Sequence, residues 1–226
     1  MIEITNTDVF GWESAIRGMR NPMNSWEKSD SVYGCNIVRI GNNDLTLMKK
    51  LSKAGSDHAK YKRMINVTCD IVAPLYWWKE FDTYKVGTVA NSCSTMHKIH
   101  EKKFTINDFS HEHLLDNSLE SSMYILETIV AYLNVFRDNY LMISEELEKD
   151  MERDEMLKFQ EERKEWWWQM IQLLPSSYNQ KRTIQLNYEV LTNMYYSRKN
   201  HKLDEWRKFC RWIESLPYSE LIVGGK

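Results

Sequence analysis

Residues 89–98, VANSCSTMHK, gather hydroxyl, thiol, amide and imidazole groups into ten positions. These groups allow three interpretations: a cysteine-hydrolase site, a ligand-binding loop, or a polar loop that only covers the core. A hydrolase needs an acid that orients His97 and a group that activates the Cys93 thiol, and the local sequence supplies neither. We favour a ligand-binding loop, whose hydroxyl and backbone groups contact a polar ligand.

Histidine and cysteine are too scattered to predict a metal site. His111 and His113 of the segment HEH lie in a polar loop without matching partners, and His97 and His100 form no ligand pattern either. The absence of a C-x-x-C pair argues against zinc and is typical of free thiols in a reducing compartment. The four cysteines are Cys35, Cys69, Cys93 and Cys210.

The composition limits the classes of protein to consider. With 226 residues, 42% of them hydrophobic, and no linker-like segment, we predict a single domain over residues 1–226. A net charge of −2 gives no broad cationic surface for a polynucleotide, so we expect no nucleic-acid partner. The N-terminus lacks signal-peptide features, and no apolar run reaches the ~20 residues that cross a bilayer, so we expect a cytoplasmic protein without a membrane partner.

The first third of the chain mixes strand and helix signals. MIEI predicts a short edge strand, and TDVFGWESAIRGM, residues 7–19, predicts a helix that is capped by threonine or aspartate and ends at Pro22. A second helix is expected from a cap at Asp44 to a stop at Gly55. The β-branched run in residues 61–74 predicts a strand, followed by a short aromatic helix in PLYWWKEFD.

The second half of the chain is predominantly helical. Residues 118–164 carry the acids and bases of a solvated helix face. Trp166, Trp167 and Trp168 span ~200° of a helix at ~100° per residue, so they cannot all face one core. This pattern indicates a helix that is covered on several sides, and hence a subunit interface. Two further helices are predicted in QLNYEVLTNMYYSRK and DEWRKFCRWIES.

The order of these elements resembles that of one known family. A strand ending in Ala-Pro, an aromatic helix, a polar loop and long helices precede the pattern LP…N…N…R…W, as in the flavin-dependent thymidylate synthases. The resemblance covers residues 40–215. It implies an α/β (α+β) fold with a central antiparallel sheet, long helices and a helix-rich C-terminal half, assembled as a homotetramer. It also implies binding of FAD and dUMP at subunit interfaces, and methylation of dUMP with methylenetetrahydrofolate and NADPH.

The C-terminal part of the resemblance rests on Pro175, Asn187, Asn193 and Arg198, which match the family spacing without a gap, with Trp206 close to a family tryptophan. In the family the asparagines contact the flavin and the arginine binds the nucleotide. We expect the three side chains near one helix face, where an arginine fork suits a phosphate or a uracil edge. Alternatively, the asparagines are exposed helix residues and Arg198 interacts with the helix dipole.

The signature loop of the family, R-H-R-x-x-S-x-N-E-x-S-x-R-Y, is only partly matched. Counted from the shared Ala-Pro, Lys85 and Thr88 are conservative matches, and Cys93 stands at the serine beside the nucleotide. The resemblance implies two sets of binding residues, without a catalytic residue. The nucleotide-binding set is Glu80, Lys85, Thr88, Cys93, Ser94 and Arg198. The cofactor-binding set is Tyr84, Lys85, Asn91, Asn187 and Asn193.

Several charged groups of the family are replaced. Threonine or lysine stands at the arginine positions of the loop, and Met64 replaces a flavin-contacting histidine. Each charged hydrogen bond to phosphate contributes ~1.5 to 3 kcal/mol, so dUMP binding weakens by orders of magnitude unless other cations substitute. Glu80 replaces a glutamine, and its charge favours a cationic or amino-rich ligand over a dianion. Candidate substitute cations are Lys60, Lys62, Arg63, Lys79 and Lys98.

Two functions from different classes remain open. One is an enzyme that retains FAD and reductively methylates dUMP or a related pyrimidine nucleotide. The other is a non-catalytic protein on the same scaffold that binds or sequesters a nucleotide or a nucleotide-derived signal, as a phage protein that acts against host signalling would do. A purely structural oligomer is a third alternative, and it would bind neither flavin nor nucleotide.

Overall fold

The structure is a computed structural model that describes residues 2–34, 38–117 and 121–224. Cys35 and the predicted helix start at Ser118 therefore lie outside the described residues. Contacts between residues divide the chain into two compact units. The larger unit comprises Ile2–Val72, Lys79–Asn91 and Arg182–Lys226, and the smaller unit comprises Ala73–Trp78 and Ser92–Lys181. The expectation of a single domain stays a prediction.

Most residues of a four-stranded antiparallel sheet belong to the larger unit. Its strands are β1 Glu3–Phe10, β4 Asn66–Pro74, β5 Val89–Ser92 and β6 Asn179–Asn187, while β2 Val32–Tyr33 and β3 Val38–Arg39 form a separate ribbon. The order β1-β4-β6-β5 confirms an edge strand at the N-terminus. Alternate residues of β4, namely Val67, Cys69, Ile71 and Ala73, are buried, which gives the strand one core-facing side. The predicted strand is thus confirmed from Asn66 onward, whereas residues 61–64 of the predicted run lie in the 3₁₀ helix Ala59–Met64.

The first helix, α1 Trp12–Arg20, begins later than predicted. Thr7 and Asp8 belong to β1, where Asp8 lies opposite Thr68 of β4, so the prediction of a cap at these residues is wrong. Gly11 precedes the helix with a φ of +91°, and a Cβ there would lie 2.0 Å from the carbonyl oxygen of Met64. Only glycine fits this position without strain. The helix ends before Pro22, as predicted.

The second helix, α2 Asn42–Lys53, is capped by a residue outside it. The predicted cap, Asp44, lies inside the first turn and is fully buried. Asp30 takes the cap role instead, because its carboxylate accepts hydrogen bonds from the backbone nitrogens of Asn43 at 2.9 Å and Asp44 at 3.1 Å. The carboxylate of Asp44 binds Arg20, whose Nε lies 2.7 Å from Oδ1. The helix ends two residues before Gly55.

Three further predicted helices are α3 Leu75–Phe81, α6 Tyr188–Arg198 and α7 Asp204–Glu214. The short helix α8 Glu220–Val223 was not predicted. Trp206, Phe209, Cys210 and Ile213 are buried at the spacing of one face of α7, which confirms that helix. The sequence QLN, predicted as helix, is instead the end of β6. The sequence of β6 does not stand out as a strand because most of its residues are polar and only alternate residues, such as Ile184 and Leu186, are buried.

In the smaller unit, α4 Ser122–Glu146 and α5 Arg153–Leu173 pack against each other. The predicted helical region is thus two helices, separated by residues 147–152. The core includes Leu126, Val130, Leu133 and Met170. Trp168 is 41% exposed, so the tryptophan run does not face a single core. Within the three described ranges, none of the helices combines the length and the apolar character that crossing a membrane requires.

Candidate functional site

Glu80 is the centre of a polar cluster in the larger unit. It lies in the last turn of α3, and its Oε2 accepts hydrogen bonds from Nη1 of Arg198 at 2.7 Å and from Nε1 of Trp206 at 2.9 Å. Nε2 of His201 lies 3.4 Å from the same oxygen. Residues of α3, the C-terminal end of α6 and the first turn of α7 therefore meet around one carboxylate.

Arg198 is held on two sides and keeps further donors. Its Nε donates to the hydroxyl oxygen of Tyr84 at 3.0 Å, and its Cζ lies 4.8 Å from the centroid of the Trp206 ring. In the described part of the chain, Nη2 of Arg198 and Oε1 of Glu80 have no hydrogen-bond partner. The side chains of Arg198 and Glu80 are 19% and 35% exposed. The pair thus presents donors and an acceptor without a net charge.

A shallow pocket of about 230 Å³ shares Tyr84 with this cluster and is also lined by Lys85 and Thr88. The hydroxyl of Thr88 donates to the carbonyl oxygen of Tyr84, which closes the turn before β5. Gly87 in this turn has a φ of +75°, and a Cβ there would lie 3.0 Å from Nδ2 of Asn187. The turn therefore approaches the start of α6 more closely than a side chain allows.

Asn187 and Asn193 have different surroundings. Oδ1 of Asn187 accepts hydrogen bonds from the backbone nitrogens of Glu189 and Val190, both at 3.1 Å, and so caps α6. Asn193 lies on the helix and lines a separate cavity. Five residues turn a helix by ~500°, which places Asn193 and Arg198 ~140° apart around α6. The expectation that all three side chains share one helix face is therefore wrong.

In the smaller unit, Cys93 and Ser94 line a pocket of about 310 Å³ that also contains Lys98, Lys102 and Lys181. The backbone nitrogen of Cys93 donates to the carbonyl oxygen of Lys181 at 2.9 Å. A hydrogen bond to Asp108 raises the pKa of Lys102, which keeps that amine charged. The pocket therefore combines small polar groups with cationic ones, as the ligand-binding interpretation of this loop requires.

The thiols show no hydrolase arrangement. Cys69 and Cys210 are buried, and burial raises their pKa to about 12 and about 11, so both stay protonated and inert. Cys93 is exposed, but no hydrogen bond in the described ranges joins it to His97, whose backbone nitrogen donates to Oγ of Ser94 at 3.0 Å. Among the described residues there is also no group of three or more potential metal ligands.

The structure brings part of the predicted set together. Tyr84 and Arg198 belong to the Glu80 cluster, and Lys85, Thr88 and Asn187 lie at the adjoining turn. Cys93 and Ser94 line the pocket of the smaller unit. Asn91 and Asn193 are exposed. Sequence reasoning missed His201, because a lone histidine in the connection between α6 and α7 has no spacing that signals its contact with Glu80. It named Lys62 as a substitute cation without predicting that this lysine is buried.

The fold matches solved structures over almost the whole chain. A crystal structure of Thymidylate Synthase X from Helicobacter pylori with FAD and dUMP has a TM-score of 0.64 at 16% identity, covering 99% of this chain and 98% of that one. A second structure, of the flavin-dependent thymidylate synthase ThyX from Helicobacter pylori complexed with FAD and dUMP, has a TM-score of 0.65 at 15% identity, covering 99% of both chains. No family model and no curated protein match the sequence.

This chain therefore has the fold of the flavin-dependent thymidylate synthases, a mixture of helices and antiparallel sheet. The fold class predicted from the resemblance is confirmed. At 15–16% identity the likeness establishes the fold alone. Function rests on the residues of this chain.

Proposed function

We propose that this protein binds a nucleotide, with Glu80, Tyr84 and Arg198 as its recognition cluster. The observation that carries the proposal is the Arg198–Glu80 pair, which offers donors and an acceptor side by side. A uracil edge has two carbonyl acceptors that flank an N–H donor, so it complements such a pair. The half-buried ring of Tyr84 adds an apolar surface beside it.

The charge of the pair favours contact with a base over contact with a phosphate. Glu80 neutralises Arg198, so the pair attracts a dianion far less than a free guanidinium does. A neutral or amino-bearing base keeps its hydrogen bonds to the pair without that electrostatic cost. Lys85 and Thr88 in the adjoining turn remain proposed contacts of the nucleotide. The proposed nucleotide-binding role of Cys93 and Ser94 rests on the resemblance alone.

Charge variants test this cluster. Arg198→Met should weaken binding of dUMP or its preferred nucleotide by about 10- to 100-fold, because ~1.5 to 3 kcal/mol of charged hydrogen bonds are lost. Glu80→Gln should strengthen dUMP binding by about tenfold, since it unmasks the guanidinium charge. Calorimetric titration measures both changes. Arg17→Met, which removes an arginine from the exposed face of α1, is the matched control and should bind normally.

Two results would contradict the proposal. The first is that neither dUMP, other nucleotides nor FAD raises the unfolding temperature of the wild-type protein. The second is that Arg198→Met binds nucleotide as tightly as Arg17→Met. In either case the cluster around Glu80 would be a structural ion pair that holds α3, α6 and α7 together.

Flavin-dependent methylation of dUMP, or of a related pyrimidine nucleotide, is the second candidate, favoured by the likeness to structures that contain FAD and dUMP. Bound FAD would supply hydride and methylene transfer, with NADPH and methylenetetrahydrofolate as co-substrates. Nδ2 of Asn187, the hydroxyl of Tyr84 and the ammonium of Lys85 surround one turn and fit polar atoms of a flavin nucleotide. Asn91 and Asn193 are proposed as further cofactor contacts by resemblance only.

The colour and turnover of the purified protein distinguish the two candidates. An absorbance band near ~450 nm together with release of tritium from C5-labelled dUMP would establish the enzyme, because methylation displaces that hydrogen. A colourless protein that nucleotides stabilise and that releases no tritium would be the binding or sequestering protein. The same purified sample serves both measurements.

Assembly into a homotetramer is also proposed, from the apolar residues on α4 and α5. Exposed side chains on these helices include Tyr132, Val135, Met142 and Trp168. Such a surface is typical of a subunit interface.

Light scattering should give about four times the 27.1 kDa mass of the chain. Trp168→Arg should lower that mass. The control Gln169→Arg, which adds the same charge at the next exposed position, should leave the mass unchanged. A monomeric wild-type protein would contradict the proposal.

A further inference from the structure

Lys62 is a buried lysine that makes one weak hydrogen bond to the residues that the structure describes. It lies on the 3₁₀ helix Ala59–Met64, and only 2% of the residue is exposed. Its Nζ donates to Oγ1 of Thr192 at 3.5 Å, which is longer than the ~2.7 to 3.2 Å of an ordinary hydrogen bond. Thr192 in turn donates to the carbonyl oxygen of Tyr188 at 2.7 Å, so its hydroxyl is fixed. An ammonium in this position has lost most of its hydration without replacement.

The neighbouring carboxylate is already paired. Oε1 of Glu189 lies 3.0 Å from Nη2 of Arg63, and Oε2 contacts Nε of the same guanidinium. Burial lowers the pKa of Lys62 to about 8, and Glu189 opposes this only in part. At pH 7 the amine is still mainly protonated. The larger unit therefore holds a buried cation whose counter-charge is shared with another residue.

The cavity beside Lys62 is large enough to hold a small anion that would balance the charge of the lysine. It measures about 250 Å³, and its walls include Lys53, Ser56, Thr192 and Asn193 along with Lys62. Lys53, Ser56, Asn193 and Lys62 can donate hydrogen bonds, and two of them are cations, whereas the hydroxyl of Thr192 already donates to Tyr188. The carboxylate of Glu189 also lines the cavity, where it is paired with the guanidinium of Arg63. The volume lies below the ~300 to 1,000 Å³ of pockets for drug-sized ligands. A whole dinucleotide does not fit, whereas a phosphate with a small organic group does.

We propose that this cavity binds a small oxyanion, phosphate or a phosphate monoester, whose charge pairs with the ammonium of Lys62. A tetrahedral oxyanion has acceptors for Lys62, for Ser56 and Asn193, and for Lys53 at the rim. None of Glu80, Tyr84 and Arg198 lines the cavity. The proposal is therefore independent of the nucleotide-recognition cluster, and each can fail without the other.

Thermal unfolding in phosphate-free buffer tests the site. Inorganic phosphate or glycerol phosphate at ten times Kd should raise the Tm of the full chain by about 3 to 6 °C. Chloride at matched ionic strength should not. Lys62→Met should abolish the shift. A response to phosphate alone identifies the free ion as ligand, and a response that needs the ester identifies the monoester; both results support the site.

A second pair of variants leaves the buried lysine in place. Ser56 is exposed at the rim of the cavity, so its substitutions should fold normally. Ser56→Glu should weaken oxyanion binding at least about tenfold more than Ser56→Gln does, because both variants lose the Ser56 hydroxyl but only glutamate adds a negative charge at the rim. Absence of any shift in the wild-type protein, an undiminished shift in Lys62→Met, or equal losses in the two Ser56 variants would each overturn the proposal.

Discussion

Replacement of Asp44 by alanine should lower the free energy of unfolding by about 3 to 5 kcal/mol. Asp44 is fully buried, and its two carboxylate oxygens accept five hydrogen bonds. The strongest are from Nε of Arg20 at 2.7 Å and from the hydroxyls of Ser29 at 2.7 Å and Ser31 at 2.6 Å. Removing the carboxylate leaves the guanidinium of Arg20 buried without its counter-charge, which is the main cause of the loss.

Urea denaturation measures this loss, with Asp30→Ala as the control. Asp30 also binds the start of α2, but it is exposed and, within the described ranges, accepts only from the backbone nitrogens of Asn43 and Asp44. Its removal should cost about 1 kcal/mol, as for an ordinary helix cap. If Asp44→Ala were no more destabilising than Asp30→Ala, the buried pair with Arg20 would not hold this part of the larger unit together.

The carboxylate of Asp44 also makes the free energy of unfolding depend on pH in the acidic range. Burial raises the pKa of Asp44, but hydrogen bonds from Ser31, Ser29 and Arg20 outweigh it, and the pKa is lowered overall. A lowered folded-state pKa stabilises the protein above the unfolded pKa of ~3.9, and this contribution is lost as the pH falls through the folded value. The stability difference between the wild-type protein and Asp44→Asn should therefore shrink below about pH 4.

Replacement of Lys62 by methionine should have the opposite effect and stabilise the protein by about 2 to 3 kcal/mol at pH 7. Methionine fills a similar volume without a charge to desolvate. Burial lowers the pKa of Lys62 from 10.5 to about 8, so protonation of this residue opposes folding. The charged neighbours of the cavity, Lys53, Arg63 and Glu189, are unchanged in the variant.

The pH dependence of this gain has a defined sign. Between pH 8 and about 10.4 the folded protein has released the Lys62 proton while the unfolded chain still binds it, so the stability of the wild-type protein rises with pH. The advantage of Lys62→Met should therefore be full below pH 8 and should disappear toward pH 10.5. Urea denaturation in phosphate-free buffer at several pH values measures it.

Lys60→Met is the matched control, since Lys60 is exposed on the same 3₁₀ helix and should change stability by no more than about 0.5 kcal/mol. A destabilised Lys62→Met, or a difference that does not vary with pH, would contradict the interpretation of Lys62 as an uncompensated buried cation. It would indicate instead that the lysine stem or its contact with Thr192 holds α6 in place.

Local chemistry predicted much of the secondary structure. The sequence pattern predicts the β-branched strand β4, the aromatic helix α3 and the amphipathic helix α7. It does so because the side chains that each element buries are apolar and recur at the spacing of one face. Pro22 has no backbone N–H for the α-helical hydrogen bond, and the chain passes from α1 into the 3₁₀ turn Asn21–Met23 there. The resemblance to a known family, based on the order of elements and the spacing around Asn187 and Arg198, implied the fold class, which the solved structures confirm.

The pairing of strands and of charged side chains depends on tertiary structure, and the local sequence pattern does not predict it. Pairing with β4 turned Thr7 and Asp8 into strand residues, and β6 is a strand because its neighbours satisfy its backbone, although its sequence is largely polar. The partners of charged groups are equally non-local. Glu80 and Arg198 are 118 residues apart in sequence, and Lys62 and Thr192 are 130 apart. The sequence shows that these residues are charged, but only packing determines which charge is paired and which is buried.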